Sequence, residues 1–157
     1  MQQHATITEA SFIHDAGLKS ARRPRGRPIH GILVSFSAAY FVGALATDLA
    51  YWQMLDVLWE RFSIWLIAAG LIMAGLATIA YLVELAVGKR MDMPTWPRVV
   101  GYALAILLAL TNAFVHSRDA YTAVVPTGLT LSALVVVVLG LTAVVARVLK
   151  NRHRFGV

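Results

Sequence analysis

The sequence predicts an all-α integral membrane protein: an antiparallel bundle of four transmembrane helices with both termini cytoplasmic. Three observations predict it. Of 157 residues, 59% are hydrophobic and only 14% charged. Four long runs are almost free of charge. Lys and Arg crowd into alternate connections. A soluble domain carries about 25% charged residues, and a small globule has too much surface to hide this many apolar side chains. A mean hydropathy of +0.69 suits a lipid solvent.

Residues 1–28 are polar and basic and are expected to form a flexible cytoplasmic segment. No early apolar core leads to a small-residue cleavage site, so a cleavable signal peptide is not expected. Arg22-Arg23 is followed by Pro24 and Arg25, where an export signal would be apolar. The arginines are expected to act as a topogenic cluster.

About 20 apolar residues at 1.5 Å rise each cross the hydrocarbon core. The first span is expected at 29–51, the second at 62–85, the third at 99–118 and the fourth at 129–149. Residues 150–157 form a basic tail. The runs do not alternate in polarity, as barrel strands would. Pro94, Pro97, Pro126 and Gly128 fall between spans, where a missing amide donor does least harm.

Twelve of the fourteen Lys and Arg lie in the N-terminal segment, the second connection and the C-terminal end; only Arg61 and Arg118 lie in the other connections. The positive-inside rule then puts both termini in the cytoplasm of a bacterial inner membrane. The same asymmetry accounts for the net charge of +6 with no nucleic-acid partner. Tyr51, Trp52 and Trp59 are expected at the outer headgroup zone and Trp96 at the inner one. Cysteine is absent, which excludes disulfides, thiolate nucleophiles and cysteine-held metals.

Two ridges of small residues recur at every fourth position: Gly31, Ser35, Ala39, Gly43 and Thr47, then Gly101, Ala105, Ala109, Ala113 and Ser117. Such ridges let backbones approach where lipid gives no hydrophobic drive between helices.

Ionisable residues inside spans are candidates for function. At 100° per residue, His30 and Asp48 share a face of the first span, with Ser37 near the same line. Asn112, His116 and Asp119 share a face of the third. Glu84 lies with Tyr81, Ala77 and Gly70 on the second. Depth separates a cluster near the outer face (Asp48, Asn112, His116, Arg118 and Asp119) from one near the cytoplasmic face (His30 and Glu84). His30 and Asp48 stand about 27 Å apart along a straight helix. An ion pair of Asp48 with Arg118 would be a structural role for the outer cluster.

The run Arg27-Pro28-Ile29-His30, Asp48, the Gly70 to Gly75 region and Arg118 closing the third span together resemble an uncharacterised bacterial membrane-protein family, domain of unknown function 2231. The resemblance covers about Gly26 to Leu149. It implies four helices with a histidine entering the first (His30), an aspartate near its far end (Asp48) and an arginine ending the third (Arg118). Two departures stand out: Gly31 replaces a proline frequent after the histidine, and Arg98-Val99-Val100-Gly101-Tyr102 holds no second histidine. The family has no settled activity, so the resemblance implies a fold and a location only.

No paired carboxylates, serine–histidine–acid set or phosphate-cradling glycine loop stands out, and no metal site is expected. The sequence therefore points to a non-catalytic accessory or assembly component, partnered by the lipid bilayer and by other membrane subunits or itself. Two alternatives stand beside it. A b-haem electron carrier would need two histidines at one depth, which a dimer could supply through paired His30 or paired His116. A proton or small-solute pathway would use Asp48, His116 and Glu84.

Overall fold

The computed structural model describes residues 28–88, 96–118 and 124–155. The basic N-terminal segment up to residue 27, Lys89, Arg90 and Asp119 lie outside the described residues. Among the described residues four α-helices form: α1 Ile29–Met54, α2 Val57–Ala86, α3 Trp96–Arg118 and α4 Leu129–Phe155. All four are long and apolar enough to cross a membrane. A kinked segment, Val124–Gly128, in which Val125 is extended (φ −122°, ψ 122°), leads into α4.

The helices run past the expected spans. The sequence suggests a ten-residue connection after residue 51, but only Leu55 and Asp56 separate α1 from α2. Leu55 adopts the left-handed conformation (φ 55°, ψ 26°), and its N–H closes α1 on the Tyr51 carbonyl at 2.8 Å. The Asp56 carboxylate then caps α2, accepting from the Leu58 N–H at 2.9 Å. The hydropathy signal stops where Gln53, Glu60 and Arg61 begin, yet these residues do not break a helix. Charge marks the edge of hydrocarbon, whereas a helix ends at its cap. For the same reason α4 continues through Lys150 and Arg152, both good helix formers.

Helices α1 and α2 pack together along their length, as do α3 and α4. Contacts of α4 with α1 and of α2 with α3 close the ring, leaving α1 and α3 diagonally opposed. The start of α1 and the end of α4 lie at one end, here the terminal end. The α1–α2 turn lies at the other, the turn end.

The interior mixes small and polar side chains with a few larger apolar ones, while the outside is large and apolar. Trp65 is 73% exposed and Ile72 61% exposed, whereas Ser37 and Ser63 are buried. This inverts the pattern of a soluble bundle and fits a lipid surround. The buried positions step alternately by three and four. On α2 they are Glu60, Ser63, Ile67, Gly70, Ala74, Ala77 and Glu84; on α1 they are Ser37, Phe41, Ala44, Asp48 and Tyr51. That spacing keeps one seam facing a neighbour along the whole helix.

A strict every-fourth ridge is inclined to the axis by about 26° and leaves the interface. Ser35 and Ala39 accordingly face an open cleft, and Gly43 and Thr47 are only half-buried. In the other ridge Ala105 and Ala109 sit in the core, Ala113 is half-buried and Ser117 is exposed. Close approach is real at two glycines. A Cβ on Gly70 would lie 2.6 Å from the Phe41 ring, and one on Gly101 would lie 2.0 Å from Thr142 Oγ1. Tyr51 turns into the bundle, while Trp52 and Trp96 face outward.

Candidate functional site

The described polar residues gather into two centres, one toward each end. At the turn end three helices contribute. Asp48 arrives on α1, on the buried seam three residues before Tyr51. Asn112 and His116 arrive on α3 one turn apart, and Ser132 arrives on the first turn of α4. All four are buried. The Ser132 hydroxyl donates to Asp48 Oδ2 at 2.5 Å and accepts from Asn112 Nδ2 at 2.7 Å. His116 Nε2 meets Asp48 Oδ1 at 3.3 Å, and its Nδ1 meets the Asn112 carbonyl at 3.0 Å. The four residues thus close a ring of contacts that joins the diagonal helices α1 and α3 and ties α4 to both.

The ring constrains protons. A carboxylate and a carbonyl both only accept. With Asp48 ionised, both contacts of His116 are filled only when both ring nitrogens carry hydrogen. Glu60, buried in the first turn of α2, is close enough to act on His116 electrostatically. Gly128 closes the other side: a Cβ there would lie 2.7 Å from His116 Cε1. Asn112 Oδ1 is buried without a hydrogen-bond partner among the described residues.

At the terminal end, Glu84 of α2 reaches the start of α1. Pro28 precedes α1 and has no side chain able to cap it. Glu84 supplies the cap from the neighbouring helix: Oε1 accepts from the Ile29 N–H at 2.9 Å, and Oε2 accepts from His30 Nδ1 at 2.6 Å. A carboxylate here meets the positive end of the helix dipole. Tyr81, one turn before Glu84, stands edge-on to the His30 ring at 5.4 Å.

Between the centres lies an apolar layer of Phe41, Ala105, Ala109 and Val135. Ser37 donates to the Gly70 carbonyl at 2.9 Å, so it is spent on backbone. The Tyr102 hydroxyl is buried and has no hydrogen-bond partner among the described residues.

Of the outer cluster, the structure brings together Asp48, Asn112 and His116, while Asp119 lies outside the described residues. Arg118 is exposed and takes no part. It follows His116 by two residues, about 200° around the helix, so burying His116 turns Arg118 away. The expected Asp48–Arg118 pair is therefore replaced by Asp48 with His116 and Ser132. His30 and Glu84 meet directly. Sequence reasoning passed over Ser132, Gly128 and Glu60. Each lies on a three-four seam, Ser132 four residues after Gly128 and Glu60 three before Ser63, and that spacing is the signal that could have found them.

The chemistry available is narrow. Ser132 and His116 both contact Asp48 and not each other, so the hydroxyl is not paired with a histidine as in a serine–histidine relay. Both ring nitrogens of His116 are engaged, and His30 sits at the opposite end. The two are therefore not placed to share an axial pair with each other. Among the described residues no three His, Asp or Glu side chains form a metal-binding group.

No curated protein and no solved structure is found to match the chain. A family model does match: DUF2231, described as a predicted membrane protein, fits residues 26–157. With a match over most of its length and four helices able to span a bilayer, the chain belongs to the DUF2231 family of membrane proteins.

Proposed function

We propose that the chain is a non-catalytic, multi-pass component of the bacterial inner membrane, working by assembly with other membrane subunits or with copies of itself. One observation carries this reading. At the turn-end centre Asp48, His116 and Ser132 are spent on one another and on Asn112, which supports a role in holding helices together rather than facing a substrate. The exposed apolar face of every helix is left for lipid or neighbouring spans. The Lys and Arg asymmetry supports cytoplasmic termini. Extraction from native membranes in mild detergent, followed by identification of co-purifying chains and the oligomeric mass, tests the proposal. The expected result is a defined complex or oligomer. Turnover of a substrate by the isolated chain would contradict it.

A second reading is a proton-responsive site. It is favoured by the position of the His116 ring, buried with one nitrogen on Asp48 and the other on the Asn112 carbonyl. Vesicles containing wild type or Asp48→Asn test it: equal proton permeability and an unchanged response to pH would count against it.

A further inference from the structure

At the terminal end a cleft of about 850 Å³ opens between α1 and the α3–α4 pair. Its origin lies in the packing. Helices α3 and α4 cross closely where Gly101 meets Thr142, while the small residues Ser35 and Ala39 leave the facing side of α1 low and exposed. Arg98 enters from the first turn of α3, and Arg147 and Lys150 from the end of α4.

Among the described residues no acidic side chain lines the cleft, and none of these three cations is held in an ion pair. Arg98 is also a cation at the positive end of a helix whose first turn has no acid, an unfavourable place for it. Lys150 and Arg147 sit one turn apart, so their charges add. Below them the cleft turns apolar along Phe36 and Ala39. Ala39 lies ten residues beyond the start of α1, about 15 Å deeper along a helix. A cationic mouth at the depth of headgroups above an apolar trough has the form of one amphiphile with an anionic head.

We propose that this cleft binds one anionic phospholipid, its phosphate held by Arg98, Arg147 and Lys150 and an acyl chain laid along α1 past Ser35 and Ala39. Basic pockets between spans favour such headgroups, each nearby cation being worth about fivefold in affinity. Because no other residue is asked to act, the assignment is independent of the chain's protein partners.

The test uses the full chain in mild detergent, titrated with phosphatidylglycerol, with phosphatidylcholine of the same acyl chains, and with inorganic phosphate. Retained lipid is counted by native mass spectrometry. One phosphatidylglycerol per chain is expected, preferred over phosphatidylcholine by on the order of 100-fold at low salt. Lys150→Gln should weaken it about fivefold. Ala39→Leu fills the trough without changing any charge, and should lower phosphatidylglycerol retention while leaving phosphate binding alone. Ser35→Leu repeats that test from the adjacent turn, with thermal unfolding confirming that both variants fold. Equal retention of the two lipids would overturn the proposal. So would full retention in both trough-filling variants, since the cations would then only be reaching for the membrane surface. Displacement of the lipid by inorganic phosphate alone would assign the site to a free anion instead.

Discussion

At the turn end, Asp48 and His116 meet across the bundle with both side chains fully buried. At the terminal end, His30 keeps about a quarter of its side chain exposed while it meets Glu84. Both are histidine–carboxylate pairs, and the shorter contact, 2.6 Å against 3.3 Å, belongs to the exposed one. The difference lies in what each pair joins. His30 and Glu84 link two adjacent helices and cap one of them. Asp48 and His116 link diagonal helices and recruit Ser132 from a third. Distance alone is thus a poor guide to importance. Burial, and the number of groups orphaned when one partner is lost, decide it.

That contrast can be broken or sharpened by substitution. Asp48→Ala should have the largest effect, lowering stability in a denaturant titration by about 3–5 kcal/mol, because it strands a buried imidazole and a hydroxyl. A loss of only about 0.6 kcal/mol, the average for hydrogen bonds between membrane helices, would reduce the centre to ordinary polar glue. Gly128→Ala should cost about 1–3 kcal/mol, since its methyl group meets the enclosed His116 ring. Glu84→Gln should cost about 1 kcal/mol: the amide oxygen can still accept from Ile29, but the charge facing the helix dipole is gone. A greater loss from Glu84→Gln than from Asp48→Ala would reverse the ranking of the two centres. Gly75→Ala should be the mildest. Nothing lies within 4 Å of the added methyl group, so a gain of up to about 1 kcal/mol from helix propensity is expected by thermal unfolding.

The helix count and the separation into two polar groups were legible because both rest on one-dimensional quantities, hydropathy and rise per residue. Asp48, Asn112 and His116 were readable as one cluster for the same reason. Their partner Ser132 was not, because a serine can satisfy itself on its own helix backbone and carries no hydropathy warning. Glu60 was hidden by its place among charged residues that look like a loop. Arg118 was misplaced because depth was judged without rotation: it shares the level of His116 and faces the opposite way. The ridge at Gly31, Ser35 and Ala39 shows the same gap, since an every-fourth pattern names a stripe and only the three-four seam says which stripe is inside.

The coupling between Asp48 and His116 tests the account most directly. A double-mutant cycle of Asp48→Ala and His116→Ala, read by reversible unfolding in detergent, isolates their interaction from the cavities each variant leaves. The structure predicts a coupling of about 1 kcal/mol or more, with the double variant far less damaged than the sum of the two singles. Additive losses would mean that the two side chains do not hold α1 to α3, and the turn-end centre would not exist as described.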